Sequence, residues 1–161
     1  MNADDSSISL PPIYQQRVLD HSRAPRRFGV LAARTHAADG ANPLCGDALH
    51  IELCVAAGRI VGYAFQGEAC AVARASASML GDRLDQAEVA SLDDIETALR
   101  RVVDGASAPV DSLGDLNALA ALVHYPSRRK CALLSIATVR AALSGCRSAT
   151  TEKHEDEESS K

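Results

Sequence analysis

The chain has 161 residues, 47% of them apolar, with a net charge of −4 and no tryptophan. That is the length of one domain able to close a single core. The composition excludes a basic footprint for nucleic acid, and no stretch approaches the roughly 20 apolar residues of a membrane helix. Residues 151–161 (TEKHEDEESSK) hold five acids and two lysines, too polar a segment to bury a folded surface. The start, MNADDSSISLPP, has neither the basic nor the apolar region of a secretory signal. The expectation is a cytoplasmic protein whose five cysteines meet a reducing environment, and the odd count argues against a disulfide framework.

Taken in order, the chain predicts a flexible segment over 1–11, a domain over 12–146 and an acidic, disordered tail over 147–161. Ile13 to His21 reads as a helix that ends before Pro25. Residues 34–47, rich in Ala, Asp, Gly and Pro, read as loop. Leu49, Ile51, Leu53 and Val55 alternate with polar residues as in a half-buried strand, and Ile60 to Phe65 forms its hairpin partner across Ala57-Gly58. Ala71 to Leu84 takes helical spacing, with Ala75-Ser76-Ala77-Ser78 as a close-packed face. Leu92 to Val103 is amphipathic, with Ser91 as its N-cap and Asp93-Asp94 in its first turn. Residues 105–114 read as loop and Asp115 to Val123 as a short apolar helix. The last helix starts near Ser127 behind Pro126 and stops at Gly145. The fold class is α+β, a small antiparallel β-sheet packed against several α-helices.

Chemistry concentrates at three cysteines, each placed where the backbone turns or a helix begins. Cys45 lies between Asn42-Pro43 and Gly46, with Asp47 two residues on. Cys70 follows the second strand and opens a helix, where the helix N-terminus favours thiolate. Cys131 follows Arg128, Arg129 and Lys130, cations expected to favour thiolate as well. Three sulfur ligands and the Asp47 oxygen suffice for four-coordinate zinc. Such a site carries a charge of −2, which calls for nearby cations, and Arg128 and Lys130 are the best placed. The oxygen ligand makes the site easier to open than four thiolates, although a purely structural zinc remains open on spacing alone. Cys54 and Cys146 read as small packing residues, and His21, His36, His50 and His124 as packing or surface histidines.

At these residues the chain resembles the IscU/NifU-N-terminal family of iron–sulfur assembly proteins, and most closely its SufU branch. The resemblance spans about residues 12–143. It rests on Asn42-Pro43-Leu44-Cys45-Gly46-Asp47, on Gly67-Glu68-Ala69-Cys70 through Met79, on Pro126 to Leu134, and on Asp20-His21 through Pro25-Arg26. Lys130 stands where scaffold-type members carry histidine before the third cysteine, and Leu92 to Asp111 resembles the insertion of the SufU branch. The resemblance implies zinc bound by Cys45, Asp47, Cys70 and Cys131. It implies Cys45 as acceptor of persulfide sulfur from a cysteine desulfurase, with Arg128 assisting and downstream iron–sulfur assembly proteins as recipients. A ligand from the desulfurase, such as a histidine, would replace Cys45 on the metal during transfer. The alternative is a scaffold that builds a transient [2Fe–2S] cluster on the same cysteines. Departures from the family pattern are Ala69 before the second cysteine, Ala73-Arg74 where the family has Ser-Met, and Ile136 at a position often held by Trp.

Overall fold

The computed structural model describes residues 12–151. In chain order the elements are α1 (Pro12–Arg23), β1 (His36–Asn42), β2 (Asp47–Ala56), β3 (Arg59–Glu68), α2 (Ala71–Leu84), α3 (Leu92–Asp104), α4 (Arg129–Leu143) and β4 (Ser148–Thr150). Short 3-10 turns precede α3 and α4, and a longer 3-10 stretch, Asp111–His124, links the two helices, broken at Gly114. None of the helices among these residues is long and apolar enough to cross a membrane. The leading segment 1–11 and residues 152–161 lie outside the described residues.

The expected hairpin is present. β2 and β3 pair antiparallel across a two-residue turn in which Ala57 and Gly58 both have positive φ, the geometry that matches strand twist. Leu49, Ile51 and Leu53 point into the core and are at most 2% exposed. The sheet order is β3-β2-β1-β4, with β1 antiparallel to β2 and parallel to β4. The sheet is therefore mixed, an antiparallel meander with one short parallel strand added. Residues 148–150, expected in the tail, instead form that strand, so the fold runs past residue 146.

Strand β1 corrects the loop expected over 34–47. Its inward residues Ala38, Gly40 and Asn42 are buried, while Asp39 points outward. They are small because α4 crosses β1 very closely: a Cβ on Gly40 would lie 1.9 Å from Thr138 Oγ1. A strand without β-branched or aromatic residues carries little propensity signal, and here helix packing dictates its composition.

Helix α4 lies across β1 and β2, α2 packs beside α4, and α1 packs on α2. The small face of α2 is buried as expected, and its serines are satisfied. Ser76 Oγ donates to Ala132 O at 2.6 Å, and Ser78 Oγ meets His21 Nδ1 at 2.7 Å. Helix α3 buries Leu92, Ile95, Leu99, Val102 and Val103 against the 3-10 stretch, and left-handed Gly105 ends it. Ser91 does not cap this helix; its hydroxyl donates to Glu88 O at 2.7 Å.

Candidate metal centre

Three chain segments converge at one end of the sheet. The β1–β2 turn carries Cys45, closed by Cys45 N–H donating to Asn42 O at 3.1 Å, and Gly46 follows with φ +72. A residue with a Cβ would be strained there, so glycine fixes how the turn presents the cysteine. Asp47 is the first residue of β2 and 2% exposed. Cys70 caps α2 with extended backbone, its Sγ accepting from Ala73 N at 3.5 Å. Cys131 occupies the first turn of α4.

The ligand atoms of Cys45, Asp47 and Cys131 all lie within 4.8 Å of one another. Cys131 Sγ is 3.2 Å from Cys45 Sγ, and Cys70 Sγ is 3.9 Å from Asp47 Oδ2, outside the tighter trio. Asp47 is held at both oxygens: Oδ1 accepts from Cys70 N–H at 2.8 Å, and Oδ2 from Asn42 Nδ2 at 3.2 Å. The donor chemistry suits zinc. Thiolates bound at ~2.3 Å in a tetrahedron lie about 3.8 Å apart, so the Cys45–Cys131 pair need open by only about half an ångström.

Exposure differs sharply across the set. Cys45 is exposed, Cys70 half-buried and Cys131 fully buried, even though Cys131 sits at a helix start. The pull of the preceding cations toward thiolate is outweighed there by the immediate surroundings of the sulfur. Burial, then the Cys45 thiol, Asp47 and Cys70, push the Cys131 thiol far above its ordinary range. An incoming cation must displace that proton. Arg128 addresses the sulfurs: Cys70 above all, then Cys131 and Cys45, raise its pKa further. Arg129 turns away, donating to Val123 O at 3.2 Å and pairing with Asp104 at 3.8 Å. The first turns of α2 and α4 bring their positive dipole ends to the same place.

Two further residues matter. Asn42, read from sequence only as a turn former, is fully buried and also donates to Cys131 Sγ at 3.3 Å. The signal for it was its place in the Cys45 motif. Arg74 places its guanidinium over the Phe28 ring, 5.8 Å from the centroid. Ile136 is a fully buried core residue. A second acidic cluster, His21 with Asp82 and Asp115, is already engaged: Arg17 pairs with Asp115, and Arg26 and Arg27 with Asp82. It ties α1 to α2 and the 3-10 stretch.

The NifU-like N terminal domain family matches residues 13–132. The zinc-dependent sulfurtransferase SufU of Bacillus subtilis (strain 168) is 31% identical over 131 residues, covering 80% of this chain and 88% of that protein. The iron–sulfur cluster assembly scaffold protein IscU of Streptococcus pyogenes serotype M1 is 30% identical over 135 residues, 81% and 82% of the two chains. The crystal structure of a nitrogen-fixing NifU-like protein (N-terminal) from Brucella abortus superposes with a TM-score of 0.74 at 25% identity, covering 82% of this chain and 92% of that one. Fold, cysteine-bearing turns and sequence agree, and the chain belongs to the NifU-like N-terminal domain family.

Proposed function

We propose that this protein is a zinc-dependent sulfur acceptor that takes persulfide sulfur from a cysteine desulfurase for iron–sulfur cluster assembly. The observation that carries the reading is the graded exposure of one ligand set, with Cys45 exposed at the lip and Asp47 and Cys131 buried behind it. Cys45, Asp47, Cys70 and Cys131 would hold the metal. Bound zinc would keep the three thiols deprotonated and mute their nucleophilicity. The Asp47 oxygen makes the set readier to open than four thiolates, and the exposed Cys45 is the ligand a docked partner can reach.

The transfer itself needs no outside oxidant. Cys45 thiolate attacks the terminal sulfur of the desulfurase's cysteine persulfide. A sulfur–sulfur bond forms at Cys45 as the donor's bond breaks, and the donor cysteine leaves as thiolate. Arg128, coupled electrostatically to all three cysteines, stabilises the negative sulfur on either side of the exchange. Downstream assembly proteins would take the sulfur onward. Five free thiols suit a reducing, cytoplasmic setting.

A scaffold role is the second reading, favoured by the near-equal similarity to the Streptococcus pyogenes protein, which is named a scaffold. Thiolates accept iron as readily as zinc. Cysteine turnover by a desulfurase, measured with and without the zinc-loaded protein, separates the readings. Strong stimulation that Cys45→Ala abolishes while remaining folded supports transfer. No stimulation, with iron-dependent colour after anaerobic reconstitution, moves the assignment to a scaffold. An unfolded Cys45→Ala chain instead indicates a structural metal.

A further inference from the structure

Asn42 is a fully buried amide of the centre, and both of its donor contacts go to candidate ligand atoms. Nδ2 lies 3.2 Å from Asp47 Oδ2 and 3.3 Å from Cys131 Sγ. Its oxygen accepts from Thr151 Oγ1 at 2.8 Å, and Thr151 N–H donates to Ala41 O at 3.1 Å, just beyond β4. We propose that Asn42 is a positioning residue of the metal centre: its amide holds the Asp47 carboxylate and the Cys131 sulfur at the spacing of one ion, and the Thr151 hydroxyl locks the amide in that orientation. This rests on the metal-binding reading above.

The chemistry fixes which way the amide points. Turned over, its oxygen would face a carboxylate and a sulfur, both negative once a metal is bound, and repel them. Thr151 can donate or accept, so it does not choose the orientation; it holds the one the ligands choose. One Nδ2 group that donates to both Asp47 Oδ2 and Cys131 Sγ keeps these two atoms from drifting apart. The supporting groups around a metal's ligands act in this way, and losing one costs about ten- to a hundredfold in affinity. The β1–β4 pairing thereby brings Thr151 to the centre.

The test is zinc affinity by competition with a chromophoric chelator, alongside the thermal midpoint of the metal-free protein. Asn42→Ala is expected to bind zinc about ten- to a hundredfold more weakly. Asn42→Asp keeps the shape and still accepts from Thr151, yet it sets a carboxylate against Asp47 and Cys131. It is expected to bind more weakly than Asn42→Ala, whatever its metal-free midpoint. A merely structural role predicts the reverse, with Asn42→Asp close to wild type, and that result, or tighter binding, overturns the proposal. Thr151→Val leaves Asn42 in place and tests the lock; it is expected to weaken zinc by a smaller factor, and wild-type affinity there also overturns the proposal. If wild type takes up no zinc, the metal-binding reading falls and this inference with it. Normal wild-type uptake with unchanged Asn42 variants refutes this inference alone.

Discussion

Replacing Gly40 by alanine would test whether the close approach of α4 to β1 sets the geometry of the centre. The added methyl would sit 1.9 Å from Thr138 Oγ1 and 3.2 Å from both Thr138 Cβ and Leu134 Cδ1. Thr138 is fully buried and donates to Leu134 O at 2.7 Å, so turning its hydroxyl aside breaks that bond. The lost bond costs about 1 kcal/mol, and forcing a methyl into a packed core costs about 1–3 kcal/mol. The sum, roughly 2–4 kcal/mol, corresponds to a fall of about 6–12 °C in midpoint for a domain of this size. Urea unfolding of the metal-free protein measures it. Thr138→Ala removes the obstructing atoms, so the double variant should be more stable than the summed single costs by about 1 kcal/mol or more. Gly40 lies two residues before Asn42 on one strand face, and Thr138 two turns along α4 from Cys131, so zinc affinity should fall with stability and recover with it. A Gly40→Ala cost within about 0.5 kcal/mol, or strictly additive variants, would refute the packing argument.

Two further outcomes follow from named contacts. Glu52, buried on the outer face of β2, accepts from Leu31 N–H, Arg34 and His50 at 2.8, 2.8 and 3.0 Å, and the Leu31 N–H above all holds its carboxyl below the ordinary glutamate range. Its contribution is full above that range and disappears as pH falls through the lowered value, so Glu52→Gln should flatten the acid limb of the stability curve; an unchanged limb contradicts this. In the metal-free protein, diamide should link Cys45 to Cys131, whose sulfurs are 3.2 Å apart, each thiol giving up a proton and an electron to the oxidant. Peptide mapping should recover that bridge, bound zinc should block it, and a bridge through Cys70 instead would contradict the observed geometry.

Features whose physics is local were legible in the order of the residues. Alternation at Leu49, Ile51 and Leu53 and the Ala57-Gly58 turn specified the hairpin, because strand period and turn geometry act over neighbouring residues. Cys45, Asp47, Cys70 and Cys131 stood out because proline, glycine and a helix start mark the places where a backbone can present a ligand. The remaining features arise from contacts between distant segments. Strand β1 was illegible because its small residues answer to a helix that lies about a hundred positions away in the chain. β4 was lost in a polar segment because three residues carry no period, and their pairing with β1 exists only once α4 has reversed the chain. Burial of Cys131, which pushes its thiol pKa up, depends on how α4 seats against the sheet rather than on the cations beside it in sequence. The same holds for Asn42. Its motif placed it near Cys45, but its contacts with Asp47, Cys131 and Thr151 span up to 109 positions and form only when strand, helix and C-terminal segment meet.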